Sequence, residues 1–139
     1  MPIIDTDVIL LTHMLADAGL IALVTDRIFV GAIPQNTTLP CVTLNTRGGD
    51  STPYIPGIPH PSVQIDSWGS STVEARAVHN AVYNCLQGIQ NTDVVVGVGT
   101  YQIMSAIEEA QGQDLQDPDV PEYFRVLGFF KVWMRASLT

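Results

Sequence analysis

Basic residues are scarce in this sequence: six Lys and Arg stand against fourteen Asp and Glu, a formal charge of −8 over 139 residues. The six are Arg27, Arg47, Arg76, Arg125, Lys131 and Arg135, scattered along the chain. A nucleic-acid-binding domain carries a basic stripe as its electrostatic footprint, and an anionic membrane asks for the same. Tight binding to either is therefore disfavoured. Cysteine is scarce too: Cys41 and Cys85 are the only two, no motif pairs them, and two reduced core thiols are the expectation. No apolar run approaches the roughly 20 residues of a membrane span. The opening residues, MPIIDTDVILLTHMLADAG, lack a basic leading region and carry Asp5, Asp7 and Asp17, which is unlike a secretory signal. Charged residues of both signs reach only 14%. A surface so short of charge suits a subunit that hides part of itself in an assembly.

Constellations for chemistry are also missing. His13, His60 and His79 lie far apart, and no closely spaced Cys or His pairs offer a zinc site. The acidic run EEAQGQDLQDPDVPE fails as a calcium loop, because Asp114, Asp117 and Asp119 miss the alternating ligand positions and Pro118 and Pro121 break the frame. In VVVGVGT, Gly97 and Gly99 lack the third glycine of a dinucleotide fingerprint, since position 102 is Gln. That segment reads as a turn into a strand. No nucleophile elbow, phosphate loop or Ser-His-Asp order is present. The sequence assigns no catalytic residue, no cofactor and no metal ligand, and points away from an enzyme.

What is present is a core-forming composition, 46% hydrophobic, in a length that fits one domain spanning residues 1–139. Residues 6–17 read as a helix, with Val8, Leu11 and Leu15 on its apolar face, Thr6 or Asp5 as cap and Gly19 as stop; LIALVT adds a further helical turn. Residues 71–87 form the best-signalled helix. Ser71 and Glu74 make a capping box, and Val73, Ala77, Val78, Ala81, Val82, Cys85 and Leu86 recur at helical spacing. Extended segments fall at 27–33, 40–47, 62–68, 98–110 and 122–135. In the last, Phe124, Val126, Phe130, Val132 and Met134 take one face. Tyr123, Arg125, Leu127, Phe129, Lys131, Trp133 and Arg135 take the other. That second face is too apolar for open water and too charged for a single-chain core. The expected class is α+β: an antiparallel or mixed sheet of about four to five strands, two helices packed on it, and a long terminal hairpin. A proline-rich loop at 48–61 and an acidic hairpin tip at 108–122 complete the outline.

The order of elements carries a resemblance. A short helix leads into Asp26-Arg27-Ile28-Phe29, and Pro34, Leu39 and Pro40 introduce the next strand. Gln64, Asp66 and Trp68 end a strand that feeds the helix beginning at Glu74, Ala75 and Ala77. Over nearly its whole length the chain resembles the tail completion family of tailed bacteriophages, which includes tail terminators and head–tail joining subunits. It departs from the family in the 48–61 loop, which is longer than the pattern expects. The resemblance implies a structural virion protein without catalytic residues, assembled in the host cytoplasm. It would form a homo-oligomeric ring, usually of six, at the head-proximal end of the tail. Its implied partners are itself, the major tail tube protein and the head–tail connector or stopper protein. DNA would pass through the ring without tight binding, and no membrane is involved.

On that reading the candidate protein-contact residues are Tyr54, Ile55, Ile58 and His60 in the loop. Glu108, Glu109, Asp114, Asp117 and Asp119 are candidates in the acidic tip, and Arg125, Phe129 and Trp133 on the mixed face. Two rivals stand beside it. One is a monomeric binding module that offers the proline-rich loop as a peptide ligand. The other is a small enzyme using Asp66 or the acidic hairpin.

Overall fold

A computed structural model of the chain describes residues 6–34, 37–50, 60–97, 99–116 and 123–136. Its elements are α1 (Thr6–Leu15), α2 (Ala18–Val24), β1 (Ile28–Val30), β2 (Cys41–Asp50) and β3 (His60–Gly69). There follow α3 (Thr72–Leu86), β4 (Gln90–Val96), β5 (Gly99–Gln116) and β6 (Phe124–Ala136). The strands form one sheet in the order β1-β2-β3-β6-β5-β4. β1 and β2 run parallel, and the other neighbours are antiparallel. The class is α+β, with one strand and one helix more than the sequence suggests.

The extra helix arises at Asp17. Its carboxylate accepts from Gly19 N at 2.9 Å and Leu20 N at 3.2 Å, satisfying orphan donors of a new helix start. The chain therefore turns and restarts, α1 and α2 meeting at 87°, and Gly19 lies inside the first turn of α2 instead of ending α1. The extra strand is β4. Its Val94, Val95 and Val96 pair with Tyr101, Thr100 and Gly99 of β5 across a turn where Gly97 takes a left-handed φ of 61°.

All three helices shield one face of the sheet, α3 lying on β3, β5 and β6, and α1 on β1, β2 and β4. From β6, Val126, Phe130, Val132 and Met134 are buried on this side, as the alternation requires, and the last three share a cluster with Val42, Leu44, Val63, Ile65 and Ile103. α3 contributes Ala75, Val78, His79, Val82, Cys85 and Leu86. Glu74 N donates to Ser71 Oγ at 3.2 Å, and Ser70 N donates to Glu74 Oε1 at 3.1 Å, so the expected cap forms with its return arm one residue earlier. Gly69 lets α3 start this close to β3. A Cβ there would sit 2.6 Å from Ala75 N.

Two helical faces differ from expectation. In α1 the buried residues are Thr6, Ile9, Leu10 and Met14, while Val8 and Leu15 are exposed. TDVILLTHML is apolar around most of its circumference, so the sheet and α2 choose the phase. In α3, Val73 and Ala77 fall on the outer stripe with Asn80 and Asn84, and Val73 is 81% exposed. Near β1, Ile28 enters the core while Phe29 is half-buried. Arg27 fastens the 31–40 crossover, its Nε donating to Pro40 O at 2.9 Å and its carbonyl accepting from Val42 N at 3.0 Å.

The two long loops are shorter than the sequence suggests. Residues 48–50 belong to β2 and 60–61 to β3, leaving 51–59 outside the described residues. β5 stays paired with β6 through three register shifts as far as Gln116. Glu108, Glu109 and Asp114 are therefore strand residues, and only 117–122, outside the described residues, remains for the tip.

Leu86 is fully buried, so Leu86→Asp should destabilise by about 3–5 kcal/mol, losing apolar burial and stranding a charge. Val73→Asp, on the outer stripe of the same helix, should change stability by under about 0.5 kcal/mol. Urea unfolding checks both; equal midpoints for the two variants would remove this placement of α3.

Candidate functional site

Among the described residues no helix covers the opposite face of the sheet. There β6 presents Arg125, Leu127, Phe129, Lys131, Trp133 and Arg135, all half-buried. Phe129, Leu127 and Arg125 lie beside Gln64, Asp66 and Trp68 of β3, and Asn45 and Thr43 of β2 continue the rows through Gln64 and Asp66. The predicted contact residues Arg125, Phe129 and Trp133 thus share one surface. Glu109 joins them from β5.

Cations and rings interlock on this face. The Arg47 guanidinium lies 4.1 Å from the Phe129 ring centre and 3.9 Å from Glu109 Oε2, and Ser62 Oγ donates to the same carboxylate. Arg125 stands 5.4 Å from the centre of the Trp68 ring, whose edge meets Tyr123 at 6.3 Å. Trp68 Nε1 donates to Thr43 Oγ1 at 3.0 Å. Arg135 Nε donates to Gln102 Oε1 at 2.9 Å, and Gln102 Nε2 donates to Asp93 Oδ1 at 3.4 Å.

The acidic residues placed together in the expected tip are separated instead. Glu109 meets Arg47 on the helix-free face, whereas Asp114 pairs with Arg76 of α3. Glu108 lines a cleft with Arg76, His79 and Tyr83 on the helix side. Strand alternation and the bulges of β5 send these neighbours in sequence to opposite faces. Asp117, Asp119, Tyr54, Ile55 and Ile58 lie outside the described residues, and His60 is the first residue of β3.

At the end of the face nearest β1 lies an open depression of about 460 Å³, walled by Ile33, Thr43, Trp68, Tyr123 and Arg125. Asp66 lines it and is only 3% exposed. Its Oδ2 accepts from Gln64 Nε2 at 3.1 Å and lies 3.8 Å from an Arg125 nitrogen. Its Oδ1 has no hydrogen-bond partner among the described residues. Burial holds the carboxyl above the ordinary range, with the Gln64 hydrogen bond and the Arg125 charge opposing. The surroundings are amide, hydroxyl, guanidinium and ring, which suits recognition of a donor more than proton transfer. The sequence carried this signal in the alternation of VQIDSW, which turns Gln64, Asp66 and Trp68 to one side.

A further buried ionisable group is His79, 4% exposed. Two glycines make room for its ring: a Cβ on Gly112 would lie 2.6 Å from Nε2, and one on Gly128 3.0 Å from Cε1. Nδ1 has no partner among the described residues. Both cysteines are buried thiols, as expected, with Cys41 pushed up to about 11 and Cys85 to about 12 by burial first. No cluster of three or more His, Cys, Asp or Glu that could hold a metal occurs among the described residues, and no single helix there is long and apolar enough to cross a membrane.

A sheet armoured by helices on one side, with an aromatic and cationic surface on the other, is the build of a protein that works through its surfaces. Comparison with family models gives the class a name. The family described as Tail completion protein gp17 matches residues 9–135, so the chain belongs to this family of structural phage-tail proteins. No curated protein matches it. Among solved structures, a chain from the virion of a native gene transfer agent particle is similar, with a TM-score of 0.61 at 18% identity, over 88% of this chain and 89% of that one. At that identity the likeness is one of fold.

Two titrations follow. Burial first, then the Arg76 charge, lowers the His79 value below 6.5, with Asp114 opposing. The unfolded chain takes up the proton first as pH falls, so the stability of neutral His79 is intact above 6.5 and is lost below it, through the folded value. Unfolding free energy should fall across that window with a slope of at most about 1.4 kcal/mol per pH unit, and His79→Gln should flatten it. For Asp66 the sign reverses. The folded state holds the proton to higher pH, so that stability is present below 3.8 and is lost as pH rises through the raised value. Above the raised value, ionised Asp66 is a burden on the fold. Asp66→Asn should raise the pH 7 melting temperature by about 2–4 °C, read by calorimetry.

Proposed function

We propose that this protein assembles into a ring, of six copies by the family pattern, at the head-proximal end of a phage-like tail. The ring ends tube growth and joins the tail to the head connector. The observation that supports this reading best is the helix-free face of the sheet, where Leu127, Phe129 and Trp133 alternate with Arg125, Lys131 and Arg135. Such a mixture resembles the centre of a protein interface, rich in aromatic and Arg side chains. The role is architectural, and the protein performs no catalysis.

Each copy brings a formal charge of −8. Arg47 and Arg125 lie against their own rings and carboxylates, so few cations remain to displace counterions from a duplex. DNA can then slide through the ring. Residues 51–59 and 117–122 are proposed contacts with the tube or connector, the prolines of the first limiting the entropy lost on docking.

Native mass spectrometry across a concentration series should show a closed multimer, alone or after addition of tail tube protein. Monomers under both conditions would overturn the ring. In a low-salt mobility-shift assay, duplex DNA should stay free at submicromolar protein; a complex there would contradict the passive lumen.

A further inference from the structure

A carboxylate oxygen that is buried and lacks a hydrogen bond weakens a fold, and Asn or Ser in its place would weaken it less. Asp66 is such a group, and it lines the depression beside Trp68 and Tyr123. Its Oδ2 is occupied by Gln64. The nearby ion pairs, Arg125 to Asp66 at 3.8 Å and Arg47 to Glu109 at 3.9 Å, are Coulombic contacts too long for hydrogen bonds. Asp66 Oδ1 is therefore the acceptor left open to an incoming chain.

Charge indicates what comes in. Four of the six basic residues, Arg47, Arg125, Lys131 and Arg135, lie on this one face. Only Arg27 and Arg76 are left elsewhere. Among the described residues outside this face, Asp7, Asp17, Asp26, Glu74, Glu108 and Asp114 stand against those two cations, so a second copy is an electrostatic complement. Two such faces meeting directly would bring their cations together. A front-to-back contact avoids this, and a heterologous contact of that kind is the one that closes into rings.

The opposite side of the molecule offers a matching projection. Val73, the most exposed of the large hydrophobic side chains described, stands on the outer stripe of α3 beside the Thr72 hydroxyl. A lone exposed valine is ordinary. An apolar knob beside a hydroxyl donor, however, matches an aromatic socket with a buried acceptor.

We propose, building on the ring reading, that the depression over Asp66 is a socket for the next copy of this chain. The start of that copy's α3 fills it, with Val73 against Trp68 and Tyr123 and the Thr72 hydroxyl donating to Asp66 Oδ1. Every copy then carries one socket and one knob on opposite layers.

The test uses two variants. In Asp66→Asn the carboxamide oxygen faces Gln64 and Arg125, so its NH₂ enters the socket and replaces an acceptor by a donor. Val73→Asp brings a charge against Asp66. Native mass spectrometry should show each variant needing at least about 30-fold more protein to form rings. Both should remain folded by calorimetry. Mixed one to one, they should give a two-chain species and stop, because the only intact socket and the only intact knob sit on different copies. Rings at wild-type concentrations from either folded variant, or no pairing on mixing, would overturn the socket while leaving the ring reading in place. Rings in which amide exchange in β3 and β6 matches that of the monomer would give the face to another protein and overturn it too. A wild-type chain that never forms rings, with or without tube protein, would overturn both readings together.

Discussion

Strand β6 lies between β3 and β5 and alternates strictly, and much of the structure follows from that alternation. Its inward residues Val126, Phe130, Val132 and Met134 need cover, and α3 supplies it with Val78, Val82 and Leu86. Glycine at 128 interrupts the apolar row where the imidazole of His79 descends, and Gly112 clears the neighbouring strand. Since one face is committed to the helices, the other can hold charged and aromatic groups without competing for the core. The bare face is thus a consequence of one-sided packing.

The cations of that face are steered by the sheet as well. Arg125 covers Trp68, its cross-strand partner, and Arg47 of β2 reaches over β3 to cover Phe129. A guanidinium laid over a ring shields apolar area from water while keeping its own hydration in part. This limits the apolar area that a surface rich in large side chains presents to water. Asp66 works in the other direction, since its buried charge strains the isolated chain. Groups that lower stability without serving the fold tend to mark functional positions.

The strongly periodic elements were legible in the sequence. The α3 cap and the two faces of β6 could be read because each rests on a local rule, capping chemistry or two-residue alternation. Features fixed by tertiary choice were not. The phase of α1 was hidden because nearly every residue from Val8 to Leu15 is apolar, so composition admits several faces. β4 was hidden because Gln90–Val96 opens on polar residues and its valines belong as easily to a turn. The acidic tip was overdrawn because strand pairing tolerates Glu and Asp when partners such as Arg47 and Arg76 wait across the sheet or on α3. Of the site, Arg125, Phe129 and Trp133 were found by alternation. Asp66 and Trp68, though they follow the same rule one strand over, needed the sheet order to bring them beside Arg125.

On the proposed ring reading, a symmetric patch would not serve, because it favours a closed pair. What cyclic assembly needs is two unlike surfaces on one small chain, each useless to itself and complementary to the other. A layered α+β fold with all helices on one side supplies the difference directly, because its two outer surfaces are built from different elements. Sequestering most cations on the sheet sharpens the contrast, leaving the helix side acid-rich and the sheet side aromatic and cationic. The low charge content and the scarcity of Lys and Arg, which first set this sequence apart, then acquire a common physical cause. A few cations concentrated on one surface define a direction of association that many cations spread over both surfaces would blur.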